Sequence, residues 1–389
     1  MRILWASHVY PRAREDVFGA FLHRMAREIV SKGHEVRVVA PWDEGAPQEE
    51  SMDGVQLERF RYPGDRSRPL AYSGEMHRRA IQAPASMVRF VAAMSSAVDR
   101  AVAQWKPELL HAHWWVPTAL AVRFVRADAG PRVVSLHGTD VRLMRSVPLI
   151  RPLASWVLRP VDAVLPVSRA LADELSPGIR RRVPEVLPMP ADGDVFRVAS
   201  PESQVADRRG FVVAARLTEQ KRVGDALRAL ALARKSDASV RLTIAGDGPE
   251  MGNLRALAVD LRLEGAVDFR GMVSPPDLAD LFRSATGVIL PSIREGYGLT
   301  VVEAALCGAP AIGTRSGGLT DLISHGENGL LVSPCEPKEL AAAMLQLAGD
   351  GPLVNALGEK ARRLAQERTA GPLGIRLCAV YRELIERNG

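Results

Sequence analysis

The sequence predicts an α/β protein built as two doubly wound parallel-sheet domains. Three observations lead there. The chain has 389 residues, too many for one ordinary core and suited to two domains of roughly 150–200 residues each. Short apolar runs alternate with segments of helical period in both halves, and strands joined by helices of that length form parallel sheets covered on both faces. The two blocks meet at "RRVPEVLPMPADGDVFR", where prolines 184, 188 and 190 and a glycine mark a connector.

Taken in order, "RILWAS" is the first strand, "GAFLHRMAREIVSKG" a helix stopped by Gly33, and "HEVRVVAP" the next strand. Further strands follow at "ELLHAHW", "RVVSLHG" and "AVLPVS". The second half repeats the alternation with "GFVVAAR", "VRLTIAG", "AVDFRG", "TGVILPS" and "PAIGT". Three helical segments close the chain, the last being "GIRLCAVYRELIER". The expected division is residues 1–190, 191–370 and a terminal helix over 371–389.

A hydrophobic content of 47% with 25% charged residues excludes disordered and fibrous classes. No run approaches the roughly 20 apolar residues of a spanning helix. "MRILWASHVY" reads as a strand, its apolar run being too short for a signal peptide. Cys307, Cys335 and Cys378 show no CxxC spacing. A reducing compartment, and so a cytoplasmic protein, is expected. Residues 1–190 hold 27 Lys and Arg against 20 Asp and Glu, and the remainder 24 against 25. The basic first half either attracts an acidic lipid surface or anionic substrate, or is a solvated face of an arginine-rich chain.

In open parallel sheets ligands gather where strands end. After "TGVILPS" comes "REGYGLTVVEAAL", with Glu295 and Glu303 separated by seven residues. Gly296 and Gly298 let the backbone approach a ligand, and the first amides of the next helix, Leu299 and Thr300, would face an anion such as phosphate. The competing reading makes Thr300-x-x-Glu303 a capping box that needs no ligand. "ARLTEQKR" places Arg216 and Lys221 at another strand end of the same half, and two such cations suit a diphosphate. An exposed basic loop is the plainer reading. "IAGDGPEMG" imitates a dinucleotide fingerprint, but its spacing is GxGxxxG and Pro249 intrudes.

In this order, "ARLTEQK", "LTIAGDGPE", "VDFRGMV", "VILPSIREGYGLTVVEAALCGAPAIGT" and "GGLTDLISHGENGLLV" resemble the donor-binding domain of family 4 retaining glycosyltransferases of the GT-B fold. "HAHWWVP", "SLHGTD" and "DAVLPVSRAL" are similar to the amino-terminal domain of that family. The likeness covers nearly the whole chain. It implies two Rossmann-like domains facing a central cleft, the first binding acceptor and the second a nucleotide-sugar donor. It further implies that the terminal helix crosses back to the first domain.

The resemblance also implies roles. Glu303 would accept from ribose hydroxyls, and Glu295 would face the donor sugar. Arg216, Lys221 and the main chain of Gly296, Tyr297, Gly298, Leu299 and Thr300 would hold the diphosphate. Main-chain groups of Met272 and Val273 would meet the nucleobase. His137 of "HGTD" would reach the donor sugar and support the reacting centre, and Gly19 would lie near the diphosphate. His137 and Glu295 are thus the catalytic candidates, positioning the sugar and stabilising charge, with front-face attack implied for retention. The chain departs from the family at Phe18-Gly19-Ala20, where a double glycine is common, at Arg222, where a glycine is common, and in a connector without the usual asparagine.

Fixed cations and oriented amides can stabilise a departing pyrophosphate, so no metal and no other cofactor is expected. The "DGD" at Asp192–Asp194 reads as a turn, and His111 and His113 lack a third ligand. A hexose-type UDP-sugar, before a GDP-sugar, would be the donor. A glycan, lipid-linked or small-molecule hydroxyl would be the acceptor, and no nucleic-acid partner is expected. The alternatives are a dinucleotide oxidoreductase, a non-catalytic nucleotide-sugar or membrane-surface binder, and a phosphorylase or epimerase on the same fold.

Two cationic amphipathic segments lie in the basic half, residues 77–105 and 141–160. In the second, Arg142, Arg145, Arg151 and Arg159 border Leu149, Ile150, Trp156, Val157 and Leu158. Either these apolar groups fill the core, or they rest on an anionic membrane at its inner face.

Overall fold

A computed structural model describes residues 1–63, 70–72, 76, 82–147, 150–198 and 210–388. It divides into two compact units, Met1–Pro190 with Ala370–Gly389, and Ala191–Thr369.

The first unit is built on a seven-stranded sheet in the order β3-β4-β2-β1-β5-β6-β7. Its strands are β1 Arg2–Ala6, β2 Glu35–Pro41, β3 Glu49–Met52, β4 Val55–Phe60, β5 Leu109–His113, β6 Arg132–Leu136 and β7 Ala163–Pro166. Pairing is parallel except between β3 and β4. That hairpin was not anticipated from periodicity. Its turn is Asp53-Gly54 with φ of 50° and 83°, the two positive dihedrals a tight hairpin turn requires. Strands β1, β5 and β7 are buried along almost all of their length because both faces of the sheet are covered, although β5 carries His111 and His113. The helix Ala20–Ser31 buries Leu22, Met25, Ala26 and Ile29, one face at helical spacing. The helix Pro84–Trp105 does the same with Phe90, Val91, Met94, Ala97, Val98, Ala101 and Val102. The terminal helix Ala370–Asn388 inserts Leu373, Leu377, Tyr381 and Leu384 into the core that holds Ile3, Trp5 and Leu22. Trp5 Nε1–H donates to Tyr381 OH at 3.1 Å, so the indole and the phenol are buried as a partnered pair.

The second unit carries an all-parallel sheet in the order β10-β9-β8-β11-β12-β13. Its strands are β8 Phe211–Ala214, β9 Leu242–Ala245, β10 Val267–Gly271, β11 Gly287–Leu290, β12 Ala311–Thr314 and β13 Gly329–Val332. The first strand of this unit, β8, lies between β9 and β11, so the chain reverses direction across the sheet between β8 and β11. A crevice beyond the strand ends at such a switch point is where α/β sheets bind ligands. In the first sheet the corresponding point lies between β1 and β5.

Among the described residues no helix is long and apolar enough to cross a membrane. In the segment over residues 77–105 one face from Phe90 to Val102 packs inward, Val88 is exposed, and residues 77–81 lie outside the described residues. The segment over residues 141–160 is divided. Ala154, Val157 and Leu158 are buried in the helix Arg151–Leu158, whereas Leu153 and Trp156 are 41% and 43% exposed. Phe124 packs beside Trp156 at 5.9 Å and is itself exposed. The Arg123 guanidinium lies 4.7 Å from the Trp156 ring centre. Arg145 pairs with Glu174, Arg151 and Arg159 are exposed, and Leu149 lies outside the described residues.

Candidate active site

The loops leaving β8 and β11 meet at the switch point of the second sheet. The β8 loop, residues 215–222, lies on the glycine loop after β9. Ala215 N–H donates to Ala245 O at 3.1 Å, Leu217 N–H to Asp247 O at 2.9 Å, and Glu250 N–H to Leu217 O at 3.1 Å. A β-carbon on Gly246 would fall 2.0 Å from Ala215 O, and one on Gly248 2.3 Å from Leu217 O. These glycines therefore serve close backbone packing beneath the Arg216 loop, which explains a fingerprint-like spacing that fits no dinucleotide motif. Leu217 is buried and anchors the loop, with Arg216 exposed beside it. Arg222 follows Lys221 in the left-handed conformation, φ 53°, costly for a residue with a side chain. Its guanidinium is clamped to buried Asp225 at 2.8 and 3.1 Å.

The β11 loop is stitched on both sides. Ile293 N–H donates to Gln220 O at 3.0 Å, and Gln220 Nε2 donates back to Arg294 O at 3.0 Å. Gly318 N–H donates to Glu295 O at 2.8 Å. This brings Lys221 Nζ within 2.7 Å of Glu295 Oε2. Burial pushes the Glu295 carboxyl up, but the Lys221 ammonium and its hydrogen bond, with the Gly296 amide, hold it below the usual carboxylate range. The structure thus joins two residues that the sequence places 74 positions apart.

The helix Leu299–Leu306 starts at an N-cap of Gly298, φ 99°, with no side-chain cap. Thr300 is its second residue, and the Thr300 hydroxyl donates to Ala214 O at 3.2 Å. A capping box needs its Thr at the N-cap, so that reading of Thr300 and Glu303 is not realised. The first-turn amides of Leu299 and Thr300 have no intrahelical acceptor, and the helix dipole adds positive potential there. Tyr297 is buried, so its ring serves the packing of the turn. Glu303 is half-buried one turn further on. After β10, Gly246 N–H donates to Gly271 O at 2.7 Å, and the loop continues into exposed Met272 and half-buried Val273.

In the first unit Gly19 is the N-cap of the helix Ala20–Ser31, φ 76°. His137 follows β6. Its amide and that of Gly138 donate to Asp140 Oδ1 at 3.1 and 2.9 Å, which folds "HGTD" into a helix start. Burial pushes the Asp140 carboxyl up to about 6, even though the Gly138 and Val141 amides pull it down. His137 Nε2 lies 3.3 Å from His113 Nδ1, and its ring sits 4.1 Å from the Trp114 ring. Trp114 has φ 68° and ψ 139°, a region residues with side chains seldom adopt. Its ring also lies 4.5 Å from His8, across the first sheet's switch point. Burial lowers the His8 imidazole to about 4, and takes His113 and His137 well below the ordinary value.

Trp114 and Asp140 are not singled out by the sequence, and His113 enters there only beside His111 as a metal-ligand candidate. The signal available was the period of two in "HAH" at a strand's carboxyl end. The "DGD" segment is a turn, with Asp192 Oδ1 accepting from the Asp194 and Val195 amides at 3.1 and 3.2 Å. Among the described residues no three His, Cys, Asp or Glu are grouped to hold a metal ion.

Comparison with known proteins bears on the family and the fold. The family model for glycosyl transferases group 1 matches residues 199–364, and that for the glycosyl transferase 4-like domain matches residues 18–190. A glycogen synthase of Mycobacterium tuberculosis is 26% identical, with 95% of this chain and 90% of the relative covered. Sucrose-phosphate synthase from Thermosynechococcus elongatus superposes with a TM-score of 0.80 at 19% identity, covering 100% of both chains. HepE from Anabaena, solved in complex with UDP-glucose, gives 0.70 at 20% identity over 98% of this chain and 100% of that one. The matched models span both units, and the two parallel sheets are those of the GT-B fold. The chain belongs to the family 4 type of glycosyltransferases, GT-B enzymes acting on nucleotide sugars.

Proposed function

We propose that the protein is a retaining hexosyltransferase that moves a sugar from a UDP-sugar, before a GDP-sugar, to a hydroxyl acceptor without a metal ion. The observation that carries this reading is the 2.7 Å contact of Lys221 with Glu295 beside the helix start at Gly298. It sets a cation, a carboxylate and first-turn helix amides together where β8 and β11 end. A diphosphate would take Arg216, Lys221 and the main chain of Gly296–Thr300. The ribose would take Glu303, and the base the main chain at Met272 and Val273. Glu295 and His137 would orient the sugar, and the Gly19 helix start would add amides toward the phosphates.

The cations and amides stabilise the leaving diphosphate without reorganising during transfer. The departing phosphate oxygen takes the acceptor's proton on the same face, so the C–O bond to the acceptor forms where the C–O bond to phosphate breaks. Glu295 is ionised and paired with Lys221, and supplies orientation and charge, not a proton. UDP-glucose in the HepE complex supports the choice of nucleotide. The acceptor is a glycan, glycolipid or small molecule. The protein works at the cytoplasmic membrane face, where Leu153, Trp156 and Phe124 offer an exposed apolar patch with the Arg123 guanidinium over the Trp156 ring. Calorimetry with UDP, GDP, ADP and TDP, then product analysis with the preferred sugar in EDTA, tests this. Retained anomeric configuration in EDTA is expected. Inversion, or a strict magnesium requirement, would overturn it.

A further inference from the structure

His137 is held at its amide, at its ring and at one ring nitrogen. Asp140 holds its amide, Trp114 and Phe21 contact its ring at 4.1 and 5.3 Å, and His113 Nδ1 meets its Nε2 at 3.3 Å. The outer nitrogens of the pair, His113 Nε2 and His137 Nδ1, are buried with no hydrogen-bond partner among the described residues. Both rings line a cavity walled by Phe21, Met25 and Leu187.

Both imidazoles are neutral near pH 7, because burial disfavours their cations. Two neutral imidazoles share one hydrogen along an N···N contact. If His113 Nδ1 donates, His137 carries its own hydrogen on Nδ1 and offers a donor there. If His137 Nε2 donates, its Nδ1 is bare and offers an acceptor. The adjacent ring shows how completely such a choice can be fixed. Trp5 Nε1–H donates to the Tyr381 oxygen, which leaves the phenol hydrogen for His111 Nδ1 at 2.5 Å. His111 therefore carries its hydrogen on Nε2 and donates to Ser135 Oγ at 2.9 Å. Ordered in this way, His111 stacks on His113 at 4.3 Å and 30°, setting the plane from which His113 reaches His137.

We propose that His113 is a positioning residue for His137, fixing through the Nδ1···Nε2 contact which nitrogen of His137 carries the hydrogen, and hence whether Nδ1 donates to or accepts from a sugar hydroxyl. This rests on the reading that His137 meets the sugar. The test is the ring-nitrogen NMR spectrum of His137 in the wild type and in His113→Phe, His113→Asn and His113→Gln. Turnover is measured alongside with whichever of UDP-glucose, GDP-glucose and ADP-glucose the wild type consumes fastest. Phe keeps the stacked ring without Nδ1, Asn restores a polar group near Nδ1, and Gln places its amide near Nε2.

A single His137 tautomer is expected in the wild type and in Asn, and an averaged one in Phe and Gln. Turnover should fall about tenfold or more in Phe and Gln, as misorientation of a reacting group does, with donor KM hardly changed and with recovery in Asn. Unchanged His137 nitrogen shifts in folded His113→Phe would overturn the proposal. If that variant does not fold, identical spectra for Asn and Gln would do so. Wild-type turnover in His137→Ala would instead sink the sugar-contact reading, with the ring-nitrogen spectra still deciding whether His113 sets the tautomer.

Discussion

Gly317 lies against Glu295 so closely that a β-carbon on Gly317 would fall 2.2 Å from Glu295 O. Gly317 also has φ 61° and ψ −146°, which a residue with a side chain adopts only under strain. Gly317→Ala must therefore displace the Glu295 loop. A loss of about 2–4 kcal/mol in stability is expected from strain and overpacking, together with reduced sugar turnover in the fraction that remains folded. Urea melts and single-turnover assays check this. Wild-type values for both would show that the contact does not fix Glu295.

Arg216→Ala and Lys221→Ala should each remove a charge-assisted contact worth about 1.5–3 kcal/mol, and so cut turnover efficiency by roughly ten- to a hundredfold. Lys221→Ala also takes away the cation paired with buried Glu295, so its carboxyl should titrate higher and the unit should be less stable. Adding Glu295→Gln to Lys221→Ala should restore stability and leave turnover low. Unchanged kinetics in the Arg216, Lys221 double variant would remove the diphosphate site.

Both parallel sheets were legible because strands covered on both faces must be apolar runs, and the helices between them keep one buried face. The β3–β4 hairpin was not, since its strands are short and carry Glu49, Glu50 and Glu58, yet Asp53-Gly54 held the signal. Thr300 and Glu303 show a limit of spacing. The capping motif was present in letters, but the helix begins at Gly298 and the Thr300 hydroxyl turns to Ala214. Gly246 and Gly248 show another, because glycine marks close approach without naming what approaches. The pairing of Lys221 with Glu295, and of His113 with His137, depends on which strands become neighbours, and local pattern does not carry that.

Acid should destabilise the first unit. Burial lowers the His8 and His111 imidazoles to about 4 and about 3, and His113 and His137 well below the ordinary value. The unfolded chain takes up protons near pH 6.5 while the native state does not. Stability is thus complete above that pH and falls as pH drops toward 4. Asp140, pushed up to about 6, acts in the opposite sense by binding its proton in the native state first. Four histidines outweigh one acid, at up to about 1.4 kcal/mol per pH unit for each proton. Urea midpoints at pH 7.5 and 5.5 check this, and equal midpoints would contradict it.

The patch of Leu153, Trp156 and Phe124 should bind phosphatidylglycerol vesicles at low salt and release them at high salt. Each nearby cation contributes about 1 kcal/mol, and the apolar side chains enter the headgroup layer. Co-sedimentation should fall in Trp156→Ala and in Leu153→Ser while the melting temperature changes little, because both side chains are substantially exposed. No binding at low salt would leave the positive field of this half to serve an anionic substrate.

The central claim is that the β11 loop and the following helix bind a nucleoside diphosphate through Glu303 and its sugar through Glu295. Calorimetric titration of UDP, and turnover of UDP-glucose, in Glu303→Ala and Glu295→Ala test it most directly. Glu303→Ala should weaken UDP itself, because the ribose contact needs no sugar. Glu295→Ala should bind UDP close to normally and lose sugar transfer. Wild-type UDP affinity in Glu303→Ala, with undiminished transfer in folded Glu295→Ala, would contradict the account.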